Sequence, residues 1–381
     1  MTAELTDEQS AIREMALEFA RSKLAPFAGE WDAKKTLPLE TLKEAAALGM
    51  GGVTVREELG GSGLGHLDST IIFEGLATGC PSVAAFLSIH NMAVWMIDAF
   101  GSPAFREEVV PSLASMDSIA SYCLTEPDAG SDAAALRTRA VLDGDAYIVN
   151  GAKQFISGAG LSNWYVTMVR TGGPGPEGIT ALAIPASSAG LSFGENERKM
   201  GWNAQPTRQV VFENCRVAAG NRLGEEGEGF RIAMKGLDGG RLNIAACSIG
   251  GAQAALDRTL AYAAQRKAFG KTIDQFQALQ FRLADMATQL EAARALLHKA
   301  ARRLDAGDPE ATRLVAMAKR FATDVGFQVA DEALQLHGGY GYLAEYGIEK
   351  IVRDLRVHRI LEGTNEIMRL IIARGLVEAS H

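Results

Sequence analysis

A mostly helical α+β fold in three blocks is predicted from two changes of hydrophobic period along the 381 residues. Apolar residues recur at helical spacing to about residue 118, give way to short β-branched and aromatic runs to about 225, and return at helical spacing from 226 onward. The turn residues fall where those periods change. The sequence therefore divides into an N-terminal helical domain (1–118), a middle β domain (119–225) and a C-terminal helical bundle (226–381), with no internal repeat or low-complexity tract.

The first helix starts at a capping box. Thr6 is followed three residues later by Gln9, and Ile12, Met15, Ala16 and Phe19 then share one helical face. Asp7, Glu8, Glu14 and Glu18 do not suit an organellar transit peptide, which avoids acids. The expected location is the cytoplasm, or the mitochondrial matrix if the chain has already been processed. Further apolar helices are read at Leu42 to Leu48, Ile71 to Leu76 and Val83 to Phe100. Strands are read at Ala146 to Val149, Trp164 to Arg170, Thr180 to Ile184 and Gln209 to Phe212. Asp143-Gly144 and Asn150-Gly151 are taken as hairpin dipeptides, whose central residues accept positive φ. Helices of roughly 241–267, 274–305 and 309–337, separated by Phe269-Gly270 and by Ala306 to Pro309, should pack as an antiparallel bundle.

Composition excludes several classes of function. With 47% hydrophobic and 22% charged residues, the chain has material for a large core. The net charge of −8 and scattered basic residues leave no stripe for nucleic acid. No uninterrupted apolar run reaches the roughly 18 residues of a membrane span, so none is expected. Cys80, Cys123, Cys215 and Cys247 form no C-x-x-C pair, which disfavours zinc and a disulfide framework and favours a reducing compartment.

Some familiar motifs fail on context. Gly190 to Gly194 (GLSFG) matches a nucleophile elbow, but no apolar helix follows the serine. Gly60 to Gly65 does not fit G-x-G-x-x-G, and no strand precedes it. Gly270-Lys271-Thr272 ends like a P-loop, yet Gln265 stands where its first glycine belongs. The six histidines include no H-E-x-x-H pair, and no metal site is predicted.

Five ligand-like segments remain. Glu362 precedes Gly363 and a helix-start cluster of Thr364, Asn365 and Glu366, the layout of a base reaching into a pocket from a helix edge. An acid complementing the helix dipole is the alternative. Tyr122 to Asp132 forms a Pro/Gly-shaped loop with Thr125, Ser131 and backbone N–H groups free to meet an anion, or an ordinary hairpin. Asp238-Gly239-Gly240-Arg241 places a cation at the head of a long helix, and Arg266 places another near Gly270. Both arginines suit phosphate oxygens, or surface salt bridges. His337 to Gly341 ends a helix with small residues that allow close approach of a ligand.

YCLTEPDAGSD, QFISGAG, AQRKAFGK, ALQLHGGYGY and RILEGTNEIMRL, in that order, resemble the acyl-CoA dehydrogenase family over essentially the whole chain. The resemblance implies an N-terminal helical domain, a middle β-barrel-like domain and a C-terminal four-helix bundle. It also implies noncovalent FAD, a homotetramer of paired dimers, an acyl-CoA substrate and an electron-transfer flavoprotein as acceptor. Glu362 would take the α-proton; members with the base on another helix have an acid where this chain has Gly240. Tyr122, Cys123, Leu124, Thr125, Gly130, Ser131, Phe155, Ile156 and Ser157 would lie at the flavin. Arg266, Phe269, Phe276, Gln277, Gln335, Leu336, His337, Gly338 and Gly339 would hold the rest of FAD, with Thr364, Asn365 and Glu366 as further cofactor contacts. Ser131, Asp238, Gly239, Gly240, Arg241 and Gly363 would meet the CoA substrate. RTGGPGPEGIT, GWNAQPTRQVVFENC, GGRLNIA and LADMAT are similar to members acting on short branched acyl chains. A straight-chain or 2-methylbutyryl substrate, an oxidase and a non-enzymatic CoA-binding assembly stay open.

Overall fold

The computed structural model describes residues 5–378. Six helices come first: α1 (Asp7–Phe19), α2 (Ala28–Lys34), α3 (Leu39–Ala47), α4 (His66–Gly79), α5 (Pro81–Phe100) and α6 (Pro103–Ala114). The Thr6 and Gln9 side chains cap α1 reciprocally, as the sequence predicts. By length and composition α5 could cross a bilayer, although polar residues interrupt its apolar run. In the fold it is a core helix, with 78% of the apolar window buried and His90, Asn91 and Asp98 among the enclosed side chains.

One eight-stranded sheet follows. Its strands are β1 (Ala120–Cys123), β2 (Arg139–Asp143), β3 (Ala146–Ser157), β4 (Trp164–Arg170), β5 (Ile179–Pro185), β6 (Leu191–Phe193), β7 (Thr207–Ala218) and β8 (Arg222–Leu223). The order is β6-β7-β3-β2-β4-β5-β8, and β1 adds to β4 in parallel. Asp143-Gly144 does lead a tight turn, since Asp143 pairs with Ala146. Asn150-Gly151 does not. It lies inside β3 at a register shift against β7, where Gly151 has φ 141° and a β-carbon would sit 2.7 Å from Thr138. A bulge and a hairpin both favour residues that tolerate unusual φ, so the dipeptide alone does not separate them.

Helix α7 (Gly229–Ala263) is followed by a small ribbon, β9 (Lys267–Ala268) and β10 (Lys271–Thr272). Helices α8 (Gln277–Asp305), α9 (Ala311–His337), α10 (Ile348–Arg356) and α11 (Asn365–Glu378) complete the chain. Helix α7 begins twelve residues before the predicted 241, although Gly236, Gly239 and Gly240 lower the local helix propensity by about 1 kcal/mol each. Packing overrides that preference: Gly236 lies against Met96 and Gly240 against Met92, both on α5.

The two helical blocks share one core. Residues of α1, α3, α4, α5, α7, α8, α9 and α10 form a single apolar cluster, and a second cluster joins α5 and α6 to β1, β4, β5 and the start of α7. A buried ion pair ties in the sheet domain. Lys350 on α10 donates to Asp354 at 2.6 Å, and Asp354 also accepts from the Trp202 backbone N–H at 2.7 Å. The loop between α10 and α11, which carries Glu362, is bonded to α7 and α9 through Arg241 and Lys319.

Candidate active site

Glu362 adopts φ 52° and Gly363 φ 88°, two consecutive left-handed residues between α10 and α11. A non-glycine residue in that region is strained and persists only where its surroundings hold it. Here they do. Arg241 of α7 donates through Nε to the Glu362 carbonyl at 3.1 Å, and Lys319 of α9 donates to the Gly363 carbonyl at 2.8 Å. Thr364 caps α11, its hydroxyl accepting from Ile367 N–H at 3.3 Å.

Both carboxylate oxygens of Glu362 are shut off from solvent and bond to no protein group. The Tyr122 hydroxyl is likewise enclosed and unpartnered. Burial pushes the Glu362 pKa up to about 7, while the Arg241 and Lys319 charges hold it back. A carboxylate poised near neutrality in a dry pocket suits a general base. A dipole-complementing acid on the surface has neither property.

A cavity of about 20 Å³ is lined by residues of α4, α5 and α7. Its wall includes His66, Ser69, Asn91, Met92, Trp95, Gly239, Gly240 and Asn243. It adjoins the carboxylate through Gly240 and Met92, since a β-carbon on Gly240 would lie 2.6 Å from Glu362 Oε2 and 2.9 Å from Met92 Sδ. Sequence reasoning missed His66, Met92, Trp95 and Asn243, which read as ordinary helix-face residues and carry no motif.

Several predicted site residues sit differently from expectation. Arg241 is not at a helix head: it lies within α7, is 4% exposed, and pairs with Asp238 at 3.0 Å as well as with the Glu362 carbonyl. Asp238 in turn accepts from Thr312 at 2.7 Å. The early start of α7 explains the difference. Asn365 faces inward, bonded to Lys319, Thr323 and Asp324 of α9, so it fastens the loop instead of reaching toward a ligand. The Cys123 and Ile156 side chains point into the sheet's core, leaving their backbone as the part able to face a cofactor.

The remaining candidate cofactor residues gather on two surfaces. On the sheet domain, Gln154 N–H donates to Thr125 O at 2.8 Å, joining the Tyr122–Ser131 loop to a bulge that holds Phe155 at φ 60° and 63% exposed. Glu126 fixes the same loop by accepting from buried Lys153 and from the Arg137 and Thr138 N–H groups. Gly130 and Ser131 are exposed in this loop, Ser157 is half-buried at the end of β3, and Leu124 packs against the second apolar cluster. On the bundle, a groove of about 450 Å³ is lined by Tyr262, Arg266, Ile273, Gln335 to Tyr340 and Leu343. His337 stacks on Tyr262 with centroids 4.4 Å apart, and Arg266 lies over Tyr340 at 5.3 Å. Phe269, 96% exposed and packed edge-on to Phe276, and exposed Gln277 extend this surface.

These surfaces suit a flavin dinucleotide. A bulge-held aromatic beside a loop of backbone donors matches a planar ring with a polar edge. The groove has the Arg266 guanidinium, which pairs with no carboxylate among the described residues, for pyrophosphate, and Gly338 and Gly339 have open space where β-carbons would be.

The comparisons decide the family. Models of the acyl-CoA dehydrogenase N-terminal, middle and C-terminal domains match residues 6–117, 121–215 and 227–377. The chain belongs to the acyl-CoA dehydrogenase family. It is 53% identical to the mitochondrial isobutyryl-CoA dehydrogenase of Dictyostelium discoideum, covering 99% of this chain and 91% of that one. To the mitochondrial isobutyryl-CoA dehydrogenase of Bos taurus it is 52% identical, covering 98% and 90%. The butyryl-CoA dehydrogenase structure from Megasphaera elsdenii superposes with a TM-score of 0.95 at 39% identity, covering 99% and 100%. This acyl-CoA dehydrogenase is thus an FAD-dependent oxidoreductase with the family's helical, sheet and helical architecture.

Proposed function

We propose that this enzyme oxidises isobutyryl-CoA to methacrylyl-CoA in valine breakdown, with Glu362 as the base. The observation that carries the reading is the enclosed, unpartnered Glu362 carboxylate, beside a small cavity that Met92 and Trp95 help to line. Two relatives more than half identical to the chain bear the name isobutyryl-CoA dehydrogenase.

Glu362, ionised above its raised pKa, takes the α-proton; the C–H pair becomes the enolate and then the new double bond as hydride departs from the β-carbon. Bound FAD supplies the hydride acceptor. The protein's task is to make a weakly acidic proton removable. Its base is dry, and its loop is oriented by Arg241 and Lys319 so that the Glu362 N–H would face the thioester oxygen. Tyr122, Thr125 and Phe155 would border the ring, and Ser131 and Gly363 the CoA portion. Arg266, Gln335 and the His337–Gly339 turn would receive the nucleotide portion. The exposure of Phe155 and Phe269 suits a homotetramer in which FAD crosses a subunit boundary. An electron-transfer flavoprotein is the proposed acceptor. The four free, buried cysteines suit a reducing compartment, either cytoplasm or mitochondrial matrix.

Anaerobic addition of isobutyryl-CoA to the purified holoenzyme tests this directly. Rapid loss of the oxidised flavin band, faster than with butyryl-CoA or 2-methylbutyryl-CoA, is expected. Preferential bleaching by another thioester would overturn the substrate. Oxygen consumption matching turnover would make the enzyme an oxidase. A colourless protein that binds CoA without reacting would end the dehydrogenase reading.

A further inference from the structure

Lys319 is fully buried in the middle of α9 and forms no salt bridge within 4.0 Å among the described residues. Its ammonium donates to the Gly363 carbonyl at 2.8 Å and to Asn365 Oδ1 at 3.1 Å. A buried cation normally needs an opposite charge nearby, because leaving it uncompensated is strongly unfavourable. The carboxylates that face it are Glu362, Asp324 and Glu366. The Glu362 carboxylate in turn has no hydrogen bond.

Lys319 thus bonds to the strained turn that carries Glu362. Arg241 grips the first carbonyl of that turn and Lys319 the second, from helices α7 and α9. We propose that Lys319 is a positioning residue for the reaction: it clamps the Glu362–Gly363 turn and supplies the compensating charge that keeps the unpartnered Glu362 carboxylate usable as the base. This rests on Glu362 being the base. Lys319 itself accepts no proton. In the step it serves, the α C–H bond breaks, the proton joins Glu362, and the electron pair moves to the thioester oxygen.

Other charged and titratable groups also face the carboxylate. Arg241 on α7 acts in the same direction as Lys319, while Tyr122 on β1 and Cys247 on α7 are neutral, their pKa values raised first by burial and then by Glu362. His358, beside the same loop, is held neutral by burial, with Lys319 adding to the effect. Lys319 and Arg241 are thus the two cations that oppose the burial of Glu362. Removing one should raise the carboxylate's pKa, whereas a lysine that merely fastens α11 to α9 would leave that pKa alone.

The test uses holoenzyme and two readouts: the acid limb of the kcat/KM–pH profile with isobutyryl-CoA, and deuterium exchange into the methyl group of acetyl-CoA. Acetyl-CoA has α-hydrogens and no β-carbon, so exchange reports proton removal without hydride transfer. Lys319→Met is expected to retain flavin and to move the acid limb up by about 1 pH unit, the size of effect an adjacent opposite charge has on a carboxylate. Exchange at pH 6 should then fall about tenfold, which is what one unit does to the ionised fraction. Lys319→Arg, keeping the charge, should restore the limb. An unchanged limb and exchange rate in a folded Lys319→Met enzyme would overturn the proposal. If that variant does not hold flavin, Lys319→Gln is measured in the same way; failure of both to fold would make the lysine a core residue without a separable role and equally overturn it. Glu362→Gln runs alongside. Undiminished exchange there would show instead that the base is elsewhere.

Discussion

The Glu362 carboxylate lies over the α-carbon of Gly240, so that a β-carbon at residue 240 would come within 2.6 Å of Oε2. The absence of a side chain on α7 makes room for the carboxylate, the proposed base, carried by the loop before α11. Gly240→Ala is therefore expected to displace Glu362 or Met92 while leaving the helix intact, since alanine has the better helix propensity. Overpacking of this kind costs about 1–3 kcal/mol. Felt at the base, it should lower kcat/KM by roughly 10- to 100-fold. A Gly240→Ala enzyme with unchanged kcat/KM would show that the carboxylate needs no such opening.

Glu362→Gln separates function from stability. Loss of a general base is expected to reduce turnover by about 10²–10⁴-fold with flavin retained. The same substitution should stabilise the holoenzyme, in a pH-dependent way. In the fold the Glu362 pKa is raised from its ordinary 4.5 to about 7 by burial, against the pull of Arg241 and Lys319. An acid so raised contributes stability that is complete below 4.5 and is lost as pH rises through about 7. Glutamine never ionises, so its advantage over glutamate should grow across that interval to at most about 3 kcal/mol. Denaturant midpoints measured from pH 5 to pH 8 check it. A gap that shrinks toward alkaline pH has the wrong sign for a buried carboxylate.

Trp95 lines the cavity that adjoins Glu362, and its ring is held edge-on to Phe100 with centroids 5.7 Å apart. Trp95→Leu should enlarge that end and shift preference toward longer acyl chains. One methylene in an apolar pocket discriminates by about 1–3 kcal/mol, so the hexanoyl-to-isobutyryl ratio of kcat/KM should rise at least about tenfold. If the ratio does not move, the acyl chain lies elsewhere.

The sequence made legible what is encoded locally. The Thr6–Gln9 cap, the 164–170 strand and the Glu362–Gly363 turn each follow from residues close together in the chain, and the structure places all three where expected. What escaped depends on contacts between distant segments. Helix α7 runs through Gly236, Gly239 and Gly240 because α5 packs against them, a tertiary gain invisible to propensity. Arg241 looked like an exposed helix-head cation for the same reason. Met92 and Trp95 gain a role only because the fold brings α5 beside Gly240, and Lys319 only because α9 passes under the base loop.

Asp354 links the three blocks. It is fully buried, accepts from Lys350 at 2.6 Å and from Trp202 N–H at 2.7 Å, and thereby ties α10 to the sheet domain's Trp202 loop. Lys350 also lies 3.5 Å from the Cys80 thiol, between α4 and α5. Burial pulls the Lys350 pKa down, and Asp354 more than reverses this. Asp354→Ala would strand a buried ammonium and orphan the Trp202 N–H, a loss of about 3–5 kcal/mol in unfolding free energy. Asp354→Asn, which keeps an acceptor, should lose less. The damage should reach the site as well: the Trp202 indole donates to His358 at 3.2 Å, and His358 leads directly into the Glu362 turn. A reduced kcat accompanying the lower urea midpoint is therefore expected. An Asp354→Ala enzyme within about 1 kcal/mol of the parent would mean that water or a shifted side chain compensates Lys350, and that the pair does not hold the blocks together.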